Sequence, residues 1–212
     1  MFLLLLLAVI AGMPQGDPSL QGVISASDYP AWAVRAGVQG SIPFDLLIGP
    51  DGKVQRCSVL ISSGHKRLDV YTCALVQQKA AFAPVADGSG QPLYGAYRGI
   101  IAWVLDYPGH ATRLTPDLEM QVNRAPVGVS LPVDFKIYYI SSPTGAVSGC
   151  RSDGEAKGPP QLVGLACGSI AKSGGQIVHN LAGAAVAAWV VSSVRISLDP
   201  HSQAAPPLTA SD

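Results

Sequence analysis

The chain has 212 residues and a mass of 21.9 kDa, and 48% of its residues are hydrophobic. That is enough apolar material to pack a core, which excludes a largely disordered chain. Fourteen Lys and Arg balance fourteen Asp and Glu, evenly between the halves 1–106 and 107–212, so neither half is a basic footprint for a nucleic-acid backbone. Charged residues make up only 13%, with 23 Gly and 17 Pro, and Glu119 and Glu155 are the only glutamates. This composition favours strands and turns over a long helical bundle.

From Phe2 to Met13 the chain is uncharged, with leucine throughout Leu3 to Leu7, the pattern of an export signal's hydrophobic region. At 12 residues it is short for a membrane span, which needs about 20. Residues 1–12 therefore read as a signal peptide or a truncated membrane anchor, and 13–27 as a short linker.

Tyr29-Pro30 opens a short helical pattern that Gly37 ends. Ile42, Phe44, Leu46 and Ile48 then alternate with Ser41, Pro43, Asp45 and Leu47 as in a strand with one apolar face. Gly49-Pro-Asp-Gly52 is a tight turn, and Val54 to Ser62 returns antiparallel. Ser63-Gly64 breaks that strand, and Leu68 to Ala80 reads as a helix burying Leu68, Thr72, Leu75 and Val76. After Gly88-Ser-Gly90, Tyr97 to Leu105 is a last strand.

Cys57 and Cys73 lie 16 apart and Cys150 and Cys167 lie 17 apart, and neither pair is a C-x-x-C motif. One bridge in each half is the simplest reading and agrees with export. The same cysteines suggest an internal repeat. Gly52, Val54 and Cys57 fall on Gly145, Val147 and Cys150 at an offset of 93, and Ile101, Trp103 and Leu105 fall on Val194, Ile196 and Leu198. Phe44 is set against Phe135, at an offset of 91, by a turn two residues longer in the second copy. Asp134 to Ser141 reads as a strand, Leu181 to Val191 as a buried helix or strand, and the tail after Pro200 as frayed.

The first copy closely resembles the carboxy-terminal domain of TonB energy transducers over residues 28–105. The resemblance is carried by Tyr29-Pro30 with Ala33, Gly37 and Gly40, by Phe44, by Gly-Pro-Asp-Gly-Lys-Val at 49–54, by Ser62-Ser63-Gly64, by Leu68-Asp69 and by Phe82-Ala-Pro84. It implies an α+β fold, a three-stranded antiparallel sheet with helices on one face; with the internal repeat the chain reads as two such tandem units, 28–106 and a degenerate 107–200, followed by a flexible tail 201–212. It also implies a periplasmic location and, as partners, TonB-dependent outer-membrane receptors, whose TonB box adds as an extended strand, with an inner-membrane motor complex as a further partner. A homodimer through the same edge is also open.

The last strand of the first unit is suited to that role. Tyr97, Arg98, Gly99, Ile100, Ile101, Ala102 and Trp103 contain no proline and one charge, so an exposed edge here would accept an extended peptide. Tyr29 and Pro30 are secondary candidates. The competing reading places this strand centrally, with Ile101 and Trp103 in the core. A second function class, an exported adaptor that keeps the fold without transducing energy, also fits.

No catalytic set, cofactor or metal site is expected. His65, His110, His179 and His201 are dispersed and lack helix-face metal spacing. Ser63, His65 and Asp69 are sequence neighbours at a strand-to-helix corner rather than a triad. Gly88-Ser-Gly90 lacks the Gly-Lys-Ser/Thr of a phosphate loop. Asp45 and Asp51 flank a turn and read as solvated. Tyr94, Tyr97 and Trp103 read as strand and core residues rather than a carbohydrate platform.

Overall fold

A computed structural model describes residues 23–105, 115–152 and 157–201. The leader 1–12, most of the linker, and all of the tail beyond His201 lie outside these residues. Among the described residues no helix is long and apolar enough to cross a membrane.

A 3-10 turn, Ala26–Asp28, leads into α1 (Ala31–Arg35). Pro30 stands at its N-cap, where φ of −67° needs no N–H donor. β1 (Gly40–Ile48) and β2 (Val54–Val59) form the expected hairpin. Gly52 at the turn has φ of +79°, and a Cβ there would lie 1.9 Å from the Phe82 carbonyl oxygen. The turn is thus closed down on the chain leaving the helix, where Phe82 N–H donates to Gly52 O at 2.9 Å.

α2 (Lys66–Lys79) packs over this hairpin, burying Leu68, Thr72, Leu75 and Val76 as its 3.6-residue period requires. β3 (Tyr94–Trp103) then pairs antiparallel with β1 along its length. It starts and ends earlier than the alternation suggests. β4 (Leu118–Val122), β5 (Val133–Ser141), β6 (Val147–Arg151), α3 (Pro160–Ser173), the two-residue strands β7 (Val178–His179) and β8 (Ala185–Val186), and β9 (Ala188–Leu198) follow.

The expectation of separate three-stranded sheets gives way to one seven-stranded mixed sheet, ordered β2-β1-β3-β9-β5-β6, with β4 also on β9. The two groups of three meet at β3 and β9, which pair in parallel over Tyr94–Ala96 and Ala188–Val190. Aromatic burial at this seam explains the fusion. Trp189 is 2% exposed and Tyr97 is 6% exposed, and separate sheets would leave both in water.

The helices lie on opposite faces. Gly95 pairs with Trp189, and Phe82 stacks on both Tyr97 and Trp189, with ring centroids at 5.7 and 6.0 Å. This is the α2 face, where Trp103 Nε1 donates to Thr72 Oγ1. One residue on, Ala96 pairs with Val190 and Val190 with Tyr139. The Tyr139 hydroxyl accepts from Gln176 N–H just beyond α3, on the other face. The parallel β3–β9 seam thus joins two groups of strands whose helices lie on opposed faces.

Strand registers also correspond. Ile42 pairs with Ile101 and Phe135 with Val194, and Ile48 pairs with Val54 and Ser141 with Val147, each pair 93 residues after its counterpart. Phe135 therefore occupies the position of Ile42. The sequence alignment sets Phe135 against Phe44 instead, two residues along β1 on the same buried face, and differs from this register by that shift.

Leu181 to Val191 is not one buried element. Asn180 to Ala184 forms a turn closed by Asn180 N–H donating to Ala184 O, with Gly183 at φ +80°. Leu181 is 64% exposed, and the apolar run is buried only once it enters β9.

Candidate functional site

The site lies where β3 leaves β9. Beyond Ala96 and Val190 the two strands diverge, and β4 takes the place beside β9 from Val194 to Leu198. Among the described residues, no strand pairs with the outer side of β3 from Arg98 to Trp103.

A groove of ≈ 530 Å³ runs along this side, lined by every residue from Tyr97 to Val104. Ile24, Ser25, Ala26 and Tyr29 line it from the N-terminal segment, and Lys136 reaches it from β5. Its volume falls in the range of sites that bind small ligands or side chains. The Lys136 ammonium lies 5.7 Å from the centre of the Tyr97 ring, within reach of a cation–π contact.

The two readings of β3 are both partly met. Its odd-numbered side chains point into the core: Tyr97 is 6%, Ile101 9% and Trp103 3% exposed. Its outer backbone edge nevertheless borders the groove. Arg98 and Ile100 are half-buried and Ala102 is exposed on the other face.

Of the secondary candidates, Tyr29 joins the site and Pro30 is buried behind it. The Tyr29 ring lies 5.1 Å from that of Trp103, and its hydroxyl donates to Val38 O at 2.7 Å. Burial holds the Tyr29 phenol above its ordinary pKa.

Arg98 fixes the fork. Its guanidinium donates to both carboxylate oxygens of Asp45, at 2.7 and 3.0 Å, and to Asp117 just ahead of β4. Asp117 also accepts from Ser193 N–H at 2.8 Å and Ser193 Oγ at 2.9 Å. The hydrogen bond that Arg98 donates to Asp45 is the main reason its guanidinium sits above its ordinary pKa, with the charges of both carboxylates adding to it. Asp45, read as solvated, is therefore a cross-strand partner, a pairing that the β1–β3 register creates.

Both expected disulfides are present. Cys57–Cys73 ties β2 to α2 with Cα atoms 5.5 Å apart, and Cys150–Cys167 ties β6 to α3 with Cα atoms 5.7 Å apart. The Ser63, His65 and Asp69 neighbours form a structural corner. Ser63 Oγ donates to Asp69 Oδ1 at 2.7 Å, and its contacts with His65 are to the backbone N–H and carbonyl. Among the described residues no cluster of His, Cys, Asp and Glu could hold a metal ion.

Sequence reasoning missed Lys136 and the 24–26 segment. Lys136 alternates with Phe135 and Ile137 on β5, which marks it as pointing away from them but not toward β3. Only the β3–β9 seam brings β5 near the groove.

Residues 25–105 match the family model described as the Gram-negative bacterial TonB protein C-terminal. Comparisons with curated proteins and with solved structures give no match.

Proposed function

Because residues 25–105 match the family model of the TonB C-terminal domain, we propose that this protein binds an extended segment of outer-membrane receptors by strand addition along β3, in support of energy-coupled transport. The observation that carries this reading is the groove beside Arg98–Trp103, where the outer side of β3 faces no strand among the described residues. A peptide backbone laid there would gain main-chain hydrogen bonds, with Tyr29, Ile24 and Lys136 around its side chains. The two disulfides fit an oxidising compartment, and we place the chain in the periplasm.

The second half reads as a degenerate copy of the first, supported by the offset of 93 that recurs in two strand pairings. Its helix α3 follows α2 by 94, the one-residue slack already visible between Cys73 and Cys167.

Titration of the full chain with a receptor TonB-box peptide, read by calorimetry and by amide hydrogen exchange, tests the proposal. Binding should slow exchange in β3 between Arg98 and Trp103. Absence of binding, or protection confined to another strand, would overturn it.

A further inference from the structure

The groove beside β3 is unevenly charged. Among the described residues that line it, Arg98 and Lys136 are the charged ones, and none is acidic. They stand on opposite faces of the sheet. Arg98 shares a face with Ile100 and Ala102, whereas Lys136 lies over the ring of Tyr97, whose contact with Phe82 marks the α2 face.

The two cations differ in their surroundings. Arg98 is held between Asp45 and Asp117, so two carboxylates face one guanidinium and the cluster keeps an excess of negative charge. A ligand carboxylate on that face would meet like charges. Lys136 is half-buried, with its ammonium 5.7 Å from the centre of the Tyr97 ring. An ammonium has three donors, so a ligand carboxylate can join the contacts that Lys136 already makes. Partial burial leaves such a pair less screened than one in open water.

Strand alternation turns this difference into a rule about sequence. In a segment added along β3, successive side chains fall on opposite faces of the sheet. Every second one lies on the α2 face. Lys136 stands at the Tyr97 end of that face, and Tyr29, whose ring lies 5.1 Å from that of Trp103, stands at the other. Tyr97 and Trp103 are six residues apart, so roughly 20 Å separates the two ends at the rise of an extended strand.

We infer that Lys136 selects an acidic residue in the bound segment, on the α2 face at the Tyr97 end, with an apolar residue four or six positions away on the same face beside Tyr29. The inference rests on the β3 reading and adds to it the chemistry of the segment and the face each residue takes. Lys136 lies outside residues 25–105, so this selectivity belongs to a part of the chain that the family model does not cover.

The test uses the full chain with both disulfides intact and a receptor TonB-box peptide carrying one Glu, placed at each position in turn, with Gln as the neutral control. At the position facing Lys136, calorimetry should show Glu binding about three- to tenfold more tightly than Gln. One position along, where the side chain meets Asp45 and Asp117, Glu should bind no better than Gln. Lys136→Gln should abolish the preference, and Lys136→Glu should reverse it in favour of Lys at the same position. Equal affinity for Glu and Gln at every position would overturn the inference, as would a preference that survives in Lys136→Gln. Slowed β3 exchange in those same samples would leave the β3 reading standing. Failure of every peptide to bind and to protect β3 would overturn both.

Discussion

The indole Nε1 of Trp103 donates to Thr72 Oγ1 at 2.8 Å, joining the last residue of β3 to the middle of α2. Thr72 is fully buried and its hydroxyl in turn donates to Leu68 O at 2.8 Å, so the bond is shielded from water. The far end of the groove floor is therefore set by a helix side chain. Thr72→Val keeps the shape and removes the acceptor, leaving a buried N–H unsatisfied. The expected cost is about 1–3 kcal/mol in urea unfolding, accompanied by weaker peptide binding at β3 if the floor shifts.

Each disulfide pins a returning strand to its helix and closes a loop of 16 or 17 residues. In the chain-entropy account, Cys57→Ala/Cys73→Ala and Cys150→Ala/Cys167→Ala should each cost about 3 kcal/mol. Thermal unfolding of the two double variants, with and without dithiothreitol, checks this. Each variant should remain sensitive to reduction through its surviving bridge.

Asp69 supplies a pH dependence. Burial pushes its carboxyl up, but hydrogen bonds from the Ser62 and Ser63 hydroxyls and Ser63 N–H outweigh it and hold the pKa below the ordinary 3.8. A folded pKa lower than the unfolded one stabilises the protein above the unfolded value, near 3.9. That contribution should be lost as the pH falls from there through the folded value. Urea midpoints measured from pH 5 to pH 2 should drop, and Ser63→Ala should flatten the drop.

The β3–β9 seam has no room for a side chain at Gly95. A Cβ there would lie 2.3 Å from Trp189 ring atoms. Gly95→Ala should cost about 1–3 kcal/mol by overpacking and quench or shift Trp189 fluorescence. An unaffected unfolding midpoint would mean that the halves do not meet at this register.

Local pattern was enough for the elements that stand on nearest-neighbour chemistry. Alternation at Ile42–Ile48 marked β1, the spacing of Leu68, Thr72, Leu75 and Val76 marked α2, and cysteine spacing marked both bridges. The tight turn at Gly52 was readable because only a residue without Cβ fits its positive φ. β4 was not readable, since Leu118, Met120 and Val122 alternate over too few residues to separate a strand from a loop.

The sequence by itself determined the β-β-α-β order of the first half, its disulfide, and its likeness to the TonB C-terminal family over residues 25–105. Only the tertiary structure decided that β3 meets β9, that the helices face opposite ways, and that Lys136 and Asp117 reach the fork. Periodicity tells which face of a strand is apolar but carries no information about which strand lies beside it. That choice is made by burying Trp189 and Tyr97, which lie far apart in the chain, together against the Phe82 ring.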